Sequence, residues 1–407
     1  MRGQYGAEAR FRAMIHLRDG AARIRHPLRT PPRGPLPSVQ CARGGFRFAG
    51  AGGTPLQMTK SLFPFAALLA LAAPAQAQDE AAPPSPGEIV AQAPAAEWTT
   101  IAPEDLLVMT LASAPDGTAR EVVIQLMPAP FSQGWVGNIR TLARAEWYDG
   151  TTVNRVQDNY VVQWGDSNYD NPEADGAAKP LPEGLEVMGE AEYTVPSFVP
   201  PASSIKRELQ GAATMSGLIA AGVNIDALMA EPEPTQTSEA RRALADRYSR
   251  FAAFTQGWPI GGRDEEFWPV HCYGMVGVGR GMSPDTGSGA ELYTVIGHAP
   301  RHLDRNIALV GRIVEGMEHL SSLPRGSGAL GFYTTEESAK RTPIVSVRVA
   351  SDLPDSERPA FEYLSTEGET FARYAEARAN RRDPFFIHPA GGADICNIPV
   401  PVRRVAD

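Results

Sequence analysis

Residues 148–166, YDGTTVNRVQDNYVVQWGD, put an arginine and a glutamine among strand-forming apolar residues. The turn signal Asp149-Gly150 opens the stretch, and residues 157–159 form a polar connection between two short runs. It therefore reads as two strands joined by a tight turn, Arg155 on the first and Gln163 on the second, beside Tyr160-Val161-Val162. One reading is an ordinary edge strand with solvated polar residues. The other is a polar pair presented to a substrate lying against an apolar wall.

Outward from this stretch, residues 105–111 and 120–127 are apolar runs separated by the turn SAPDGT, which predicts a strand pair. Over residues 136–147, Ile139, Leu142, Ala143 and Trp147 recur at i, i+3, i+4 and i+8, the spacing of one helix face. Strand patterns resume at 271–280, 290–297 and 342–350, with a helix predicted over 316–323. Between these two β regions the character changes. Residues 167–269 are Pro-rich at first and then helical over 203–223 and 238–257, with the acidic AEPEPTQTS between, so they read as a largely helical insertion. Residues 351–407 form a C-terminal extension with one predicted helix over 358–381 and a strand-like end over 395–405. The stretch RDEEFWP reads as a solvated loop. There is no internal repeat.

The composition is that of a globular protein, with 43% hydrophobic and 21% charged residues. Gly 39 and Pro 36 fit a loop-rich β protein better than a helical bundle. The net charge of −9 is uneven. Residues 1–57 hold ten arginines against Glu8 and Asp19, which suggests either a nucleic-acid-binding arm or, the reading preferred here, a leader outside the natural protein. A second start follows at Met58. Lys60, an apolar run over 62–73 and the small-x-small triplet Ala75-Gln76-Ala77 have the form of a signal peptide over 58–77, cleaved after Ala77. That run is shorter than the ~20 residues a membrane-spanning helix needs, and no other segment is apolar enough to span a bilayer. Removing residues 1–77, which carry +9, leaves a chain near −18 that argues against nucleic acid as a partner. Residues 78–97 read as a Pro/Ala-rich linker. The expected location is periplasmic.

Export changes how the cysteines read. Cys41 lies in the leader, so Cys272 and Cys396 remain, and in an oxidising compartment they can form one disulfide. Two separate buried thiols are the alternative. Metal binding is not expected, because there is no C-x-x-C spacing and the histidines are scattered. The glycine-rich GMVGVGRG lacks the Lys-Ser/Thr of a phosphate loop and reads as strand packing.

Four blocks in order carry a resemblance to a known family. They are EVVIQLMP (121–128), GNIRTLARAEWYDGTTVNRVQDNYVVQWGD (137–166), GMVGVGR with GSGAELYTVIG (274–297) and RHLDRNIALVGRIVEGMEHLSSL (301–323). Together they resemble the cyclophilin-type peptidyl-prolyl cis-trans isomerases. The resemblance implies a mainly β fold, a closed eight-stranded antiparallel barrel capped by two helices. Its two parts would be residues 98–166 and 270–350, split by the insertion. It also implies rotation about X-Pro bonds, with proline-containing polypeptides as partners and no cofactor. That bond turns slowly, over a barrier of ~18–20 kcal/mol, because amide resonance must be broken. A donor to the prolyl nitrogen weakens the resonance, and an arginine is a permanently charged, rigid donor fork suited to it.

By position, the resemblance assigns the catalytic donor to Arg155 and the orienting amide to Gln163. Tyr160, Val161, Tyr293 and Leu303 would line a proline pocket, and Gly279 and Arg280 would meet substrate backbone. Glu291 and His302 depart from the pattern in the same groove: the first stands where a glutamine is usual, the second where a tryptophan is frequent. Ile307 replaces a frequent histidine or tyrosine, Asn154 a histidine and Trp164 a glycine. Glu291 is thus expected to place an anion near Arg155 and compete for its donors. The missing tryptophan implies weak cyclosporin binding. A non-catalytic binding module, its partner protein held by the 167–269 insertion, is the alternative function.

Overall fold

Leu107, Met109 and Leu111 share one face of a strand, Leu106 and Val108 share the other, and all five are buried. A strand covered on both faces reads as a continuous apolar run, as LLVMTL does. The computed structural model describes residues 82–169, 171–196, 246 and 248–405. Its strands in chain order begin with β1 Trp98–Thr100, β2 Leu106–Leu111, β3 Arg120–Leu126, β4 Thr152–Val156 and β5 Val161–Gly165. Next come β6 Val195–Pro196, β7 Phe251–Thr255, β8 Trp258–Arg263, β9 Glu266–Pro269 and β10 Met275–Val278. The last are β11 Leu292–Val295, β12 Leu309–Glu315, β13 Thr342–Val349, β14 Phe361–Leu364 and β15 Val402–Arg404. The helices are α1 Pro86–Ala91, α2 Gln133–Arg144, α3 Met317–Ser321 and α4 Glu369–Ala379.

Eight strands close into a barrel in the order β10-β11-β5-β4-β13-β2-β3-β12, every pairing antiparallel, with β12 returning to β10. Alternation with period two sends Leu107, Met109 and Leu111 of β2, Val122, Ile124 and Leu126 of β3, and Val162 and Trp164 of β5 into one interior cluster. The outward faces of β2 and β3 are not wasted on solvent. Leu106, Val108 and Val123 pack there against Ile101, Ala350 and Phe361.

Helix α2 lays Trp135, Val136, Ile139, Leu142 and Ala143 against the interior cluster. Burying side chains such as Ile139 and Leu142 contributes about 1.5–3 kcal/mol each. The helix begins one turn earlier than the periodicity predicts, at Gln133, whose side-chain amide donates to the Met127 and Phe131 carbonyls. It ends at Arg144, so Trp147 packs from the following turn and not from the helix face. Helix α3 buries Leu320 beside β3.

The mainly β barrel with few helices is the architecture the sequence implied, but the insertion is corrected. Where a helix is predicted over 238–257, Phe251–Thr255 is a strand, and β6-β9-β8-β7 form a four-stranded sheet. The cause is local: Gln256 and Gly257 both adopt positive φ, +50° and +80°, the conformation of a tight hairpin turn. The stretch RDEEFWP is likewise a turn running into β9, with Phe267 and Trp268 buried. The predicted helix at 203–223, the leader over 1–57 and the signal peptide over 58–77 lie outside the described residues.

Both flanks of the barrel are also more ordered than expected. Within the expected linker, α1 is capped by Ser85, which accepts from the Glu88 backbone while the Glu88 carboxylate accepts from Ser85. In place of one helix over 358–381 come β14 and then α4. β14 pairs with β1 on one side and β15 on the other. Ile89, Trp98, Leu364, Phe371, Tyr374 and Ile398 make a separate small core that joins the start of the described residues to the C-terminal extension.

Cys272 and Cys396 form a disulfide across a sequence separation of 124 residues. Neither cysteine is on a strand: one lies in the loop before β10, the other in the 3-10 turn Ile395–Asn397. Closing so long a loop stabilises the fold by about 4–5 kcal/mol in the chain-entropy account. Among the described residues no helix is long and apolar enough to cross a membrane. Thiol titration of the denatured, unreduced chain from Gln78 onward is expected to find no free thiol, and two after reduction. Reduction is also expected to lower stability by about 2–5 kcal/mol in denaturant melts. Two free thiols before reduction would contradict the bridge.

Candidate active site

On β4, Arg155 stands across from Gln163 of β5, and Gln163 stands across from Tyr293 of β11. On the same two strands Val161 pairs with Val295. These side chains occupy the alternate face to Val162, Trp164 and Leu292, which are inside the barrel, so they face the outer wall. A bulge between Val153 and Arg155 shifts the β4 register at this point, a device that re-aims a side chain.

The guanidinium is held on three sides. Its Nε donates to the Leu330 carbonyl at 2.8 Å, Nη1 to Gln163 Oε1 at 3.2 Å and Nη2 to Gln157 Oε1 at 2.5 Å. It lies over the rings of Tyr160 and Phe332, 5.6 and 5.3 Å from their centroids. Burial lowers its pKa from the ordinary arginine value, which starts high enough that the group remains a cation. Among the described residues these acceptors take three of its five N–H bonds, and two are left to donate elsewhere.

Beside the guanidinium is an apolar patch. Val161, Tyr293 and Val295 are buried at its base, and Tyr160, Leu303 and Ile307 are partly buried around it. His302 stacks on Tyr160, their centroids 6.1 Å apart and the planes within 12°. The structure thus brings together Arg155, Gln163, Tyr160, Val161, Tyr293, His302 and Leu303, all named from sequence. The Gly279 amide donates to the Glu291 carbonyl, and a Cβ added at Gly279 would lie 3.5 Å from Gln163 Nε2, so this backbone borders the amide.

One assignment changes. Arg280 keeps its place beside Gly279, where its Nε and Nη2 donate to the Asn306 carbonyl at 3.0 and 2.8 Å and tie this segment to the wall that carries Leu303 and Ile307. Glu291 is only 2% exposed and lies behind Gln163, not in the groove. Its Oε2 accepts from Gln163 Nε2 at 3.4 Å and from Asn154 Nδ2 at 3.5 Å. Among the described residues no ion pair joins Glu291 to Arg155, so the expected competition for donors does not arise. Gln163 spans the two, accepting from the cation and donating to the carboxyl, and this fixes which way its amide points. Burial pushes the Glu291 carboxyl well above the ordinary range, against the opposing hydrogen bonds from Gln163 and Asn154.

Sequence reading missed Gln157, Leu330 and Phe332. The last two come from a loop 175 residues or more beyond Arg155, so no local pattern links them to β4. The available signal was the glycine spacing in RGSGALGF. Gly331 has φ +83°, and a Cβ there would sit 2.8 Å from the Gln157 Cα, so only glycine lets this loop close on the strand.

Residues 118–349 match the model of one family, the cyclophilin type peptidyl-prolyl cis-trans isomerase/CLD. The chain belongs to this family, and its reaction is rotation about X-Pro peptide bonds. Among solved structures it is similar to a cyclophilin from Hirschia baltica, 21% identical with a TM-score of 0.49, covering 75% of this chain and 93% of that one. It is also similar to a cyclophilin type isomerase from Cryptosporidium parvum, studied in the presence of the dipeptide Ala-Pro. That pair is 10% identical with a TM-score of 0.29, and the match covers 60% of this chain and 97% of the other. No curated protein matches the chain.

A carboxyl whose pKa is raised on folding binds its proton more tightly in the native state, so stability falls as pH rises from the unfolded pKa toward the folded one. Glu291→Gln removes that dependence. The variant is expected to melt about 2–4 °C above wild type at pH 8, with little difference at pH 4. Equal melting temperatures at pH 8 would show that Glu291 carries no such burden.

Proposed function

We propose that Arg155 is the catalytic donor, that Gln163 orients it, and that the proline ring rests on Tyr160, Val161, Tyr293 and Leu303. The observation that carries this reading is the juxtaposition, on the closed outer wall, of an anchored guanidinium with two uncommitted N–H bonds and an apolar patch. A peptide laid along the wall puts its prolyl nitrogen under the guanidinium while the ring is desolvated against the patch. Donation to that nitrogen is stronger when its lone pair has left conjugation, so the interaction favours the twisted bond over either planar isomer. Each ~1.4 kcal/mol gained only in that state is a tenfold gain in rate. The neighbouring acceptors matter because they hold the fork still before substrate arrives. Gln163 Oε1 and the Leu330 carbonyl keep Nη1 and Nε where they are.

The clients on this reading are exported or envelope proteins. Two features support it: the signal-peptide pattern over residues 58–77 and a disulfide of the kind that persists in oxidising compartments. Protein recovered from the periplasmic fraction of a producing cell is expected to begin at Gln78. A cytoplasmic product that retains Met58 would refute export.

Replacing Arg155 with alanine is expected to lower kcat/KM for a proline tetrapeptide by about 10²–10³, the usual loss for one preorganised transition-state donor. Arg155→Lys is expected to recover little, because a single ammonium cannot reproduce the fork. Identical rates for wild type and Arg155→Ala, both at background, would leave a peptide-binding module in place of an isomerase.

A further inference from the structure

Beneath the apolar patch runs a buried polar chain that the isomerase reaction does not by itself require. Tyr293, 4% exposed at the base of the patch, turns its hydroxyl inward, where His271 Nε2 lies 3.1 Å away. The His271 Nδ1 is 3.0 Å from Asp304 Oδ1, and that same oxygen accepts from the His271 backbone N–H at 3.0 Å. The other Asp304 oxygen accepts from Arg301 Nε at 2.7 Å. Arg301 then forms a two-pronged ion pair with Asp246, at 3.1 and 2.5 Å. His271, Arg301 and Asp304 are all nearly inaccessible. Burial pushes the Asp304 carboxyl up, but the His271 and Arg301 groups outweigh it and hold the pKa below the ordinary value. An ionised Asp304 can only accept, so Nδ1 carries a proton. With Nδ1 the donor, Nε2 of the Nδ1–H tautomer accepts a hydrogen bond from the tyrosine hydroxyl.

A phenylalanine at position 293 would need none of this. An unpaired buried hydroxyl is destabilising, so a tyrosine here is favoured by a partner. Room for that hydroxyl is also specific, since a Cβ on the cross-strand Gly277 would lie 2.3 Å from the Tyr293 oxygen. The chain connects parts of the patch that strand pairing leaves separate. Tyr293 is on β11, whereas His302 and Leu303 are on the turn Arg301–Leu303, which pairs with neither β5 nor β11. Asp304 grips both: Arg301 of the turn directly, and Tyr293 through His271.

We propose that His271 and Asp304 are positioning residues that set the width of the proline pocket by fixing the Tyr293 ring against the turn that carries Leu303. The inference rests on the reading of this groove as the prolyl site. Asp246, itself in the insertion, joins the same chain through Arg301. Neither histidine nor aspartate touches substrate; both act through Tyr293 and Leu303.

The test uses Tyr293→Phe, His271→Leu, the double variant and His271→Gln. Three quantities are read: the affinity for an Ala-Ala-Pro-Phe tetrapeptide by NMR titration, the exchange rate of the bound peptide, and the melting temperature. Tyr293→Phe, which removes one oxygen, is expected to weaken affinity about fivefold, as loss of one buried hydrogen bond predicts. His271→Leu should do the same. The double variant should be no weaker than the worse single variant, because both break one linkage. In His271→Leu and His271→Gln, bound-state exchange should stay within about twofold, since the guanidinium is untouched. His271→Gln should restore affinity, its amide accepting from the tyrosine and donating to Asp304.

Variants that melt earlier but bind with wild-type affinity would make the chain merely structural and overturn the inference, and so would additive losses in the double variant. If His271→Leu fails to fold, unchanged affinity in Tyr293→Phe alone overturns it. A wild type that binds peptide but never accelerates exchange would sink the isomerase reading while leaving the affinity comparison decisive.

Discussion

Everything functional in this molecule depends on the register of β5 between β4 and β11. Gln163 is set opposite Arg155 on one side and Tyr293 on the other, and Val161 opposite Val295. Side chains alternate across a strand, so this register sends Val162 and Trp164 into the barrel and Val161 and Gln163 outside it. A slip by one residue would bury Gln163 in an apolar interior and turn Trp164 to solvent. Both errors are costly, and closure of the barrel removes the free edges at which such a slip could start.

Polar groups on and under that wall are arranged so that few compete. The guanidinium spends three donors on a carbonyl and two amides, which anchor it without neutralising it. The nearby carboxyl of Glu291 is kept away by Gln163 and driven toward its neutral form by burial. A charge-paired arginine would have been a poor donor to a weakly basic prolyl nitrogen. Under the apolar half of the groove, charge is handled in the opposite way. Arg301, Asp246 and Asp304 are paired as ions out of contact with water, where losing one partner would cost several kcal/mol.

The additions to the barrel are integrated into it. β1 and β14 pair the start of the described chain with the C-terminal extension, and Phe361 covers the outer face of β2 and β3. The disulfide fastens the extension to the loop holding His271, one residue before Cys272. The hairpin β7-β8 contributes Ala252, Trp258 and Ile260 to the same interior cluster as the barrel. Arg312 of β12 is buried beneath Trp258, its pKa lowered to about 10 by the loss of solvent.

How much was legible follows from where the determining contacts lie. Alternation and turn chemistry are local, so the strands from β2 to β5 and the Arg155–Gln163 pair could be read from the chain alone. Short-range turn geometry was underread at Gln256-Gly257, where two positive φ angles make a hairpin out of a segment with helical periodicity. Contacts between distant segments left no such trace. Leu330 on the guanidinium, Glu291 behind Gln163, and the path from Tyr293 through His271 to Asp304 each join residues that only the closed barrel brings together. The sequence by itself determined the family, the barrel and the place of Arg155 beside Gln163. The tertiary structure alone decided how that guanidinium is partnered, because pairing, burial and desolvation are set by neighbours in space, and a linear pattern does not specify them.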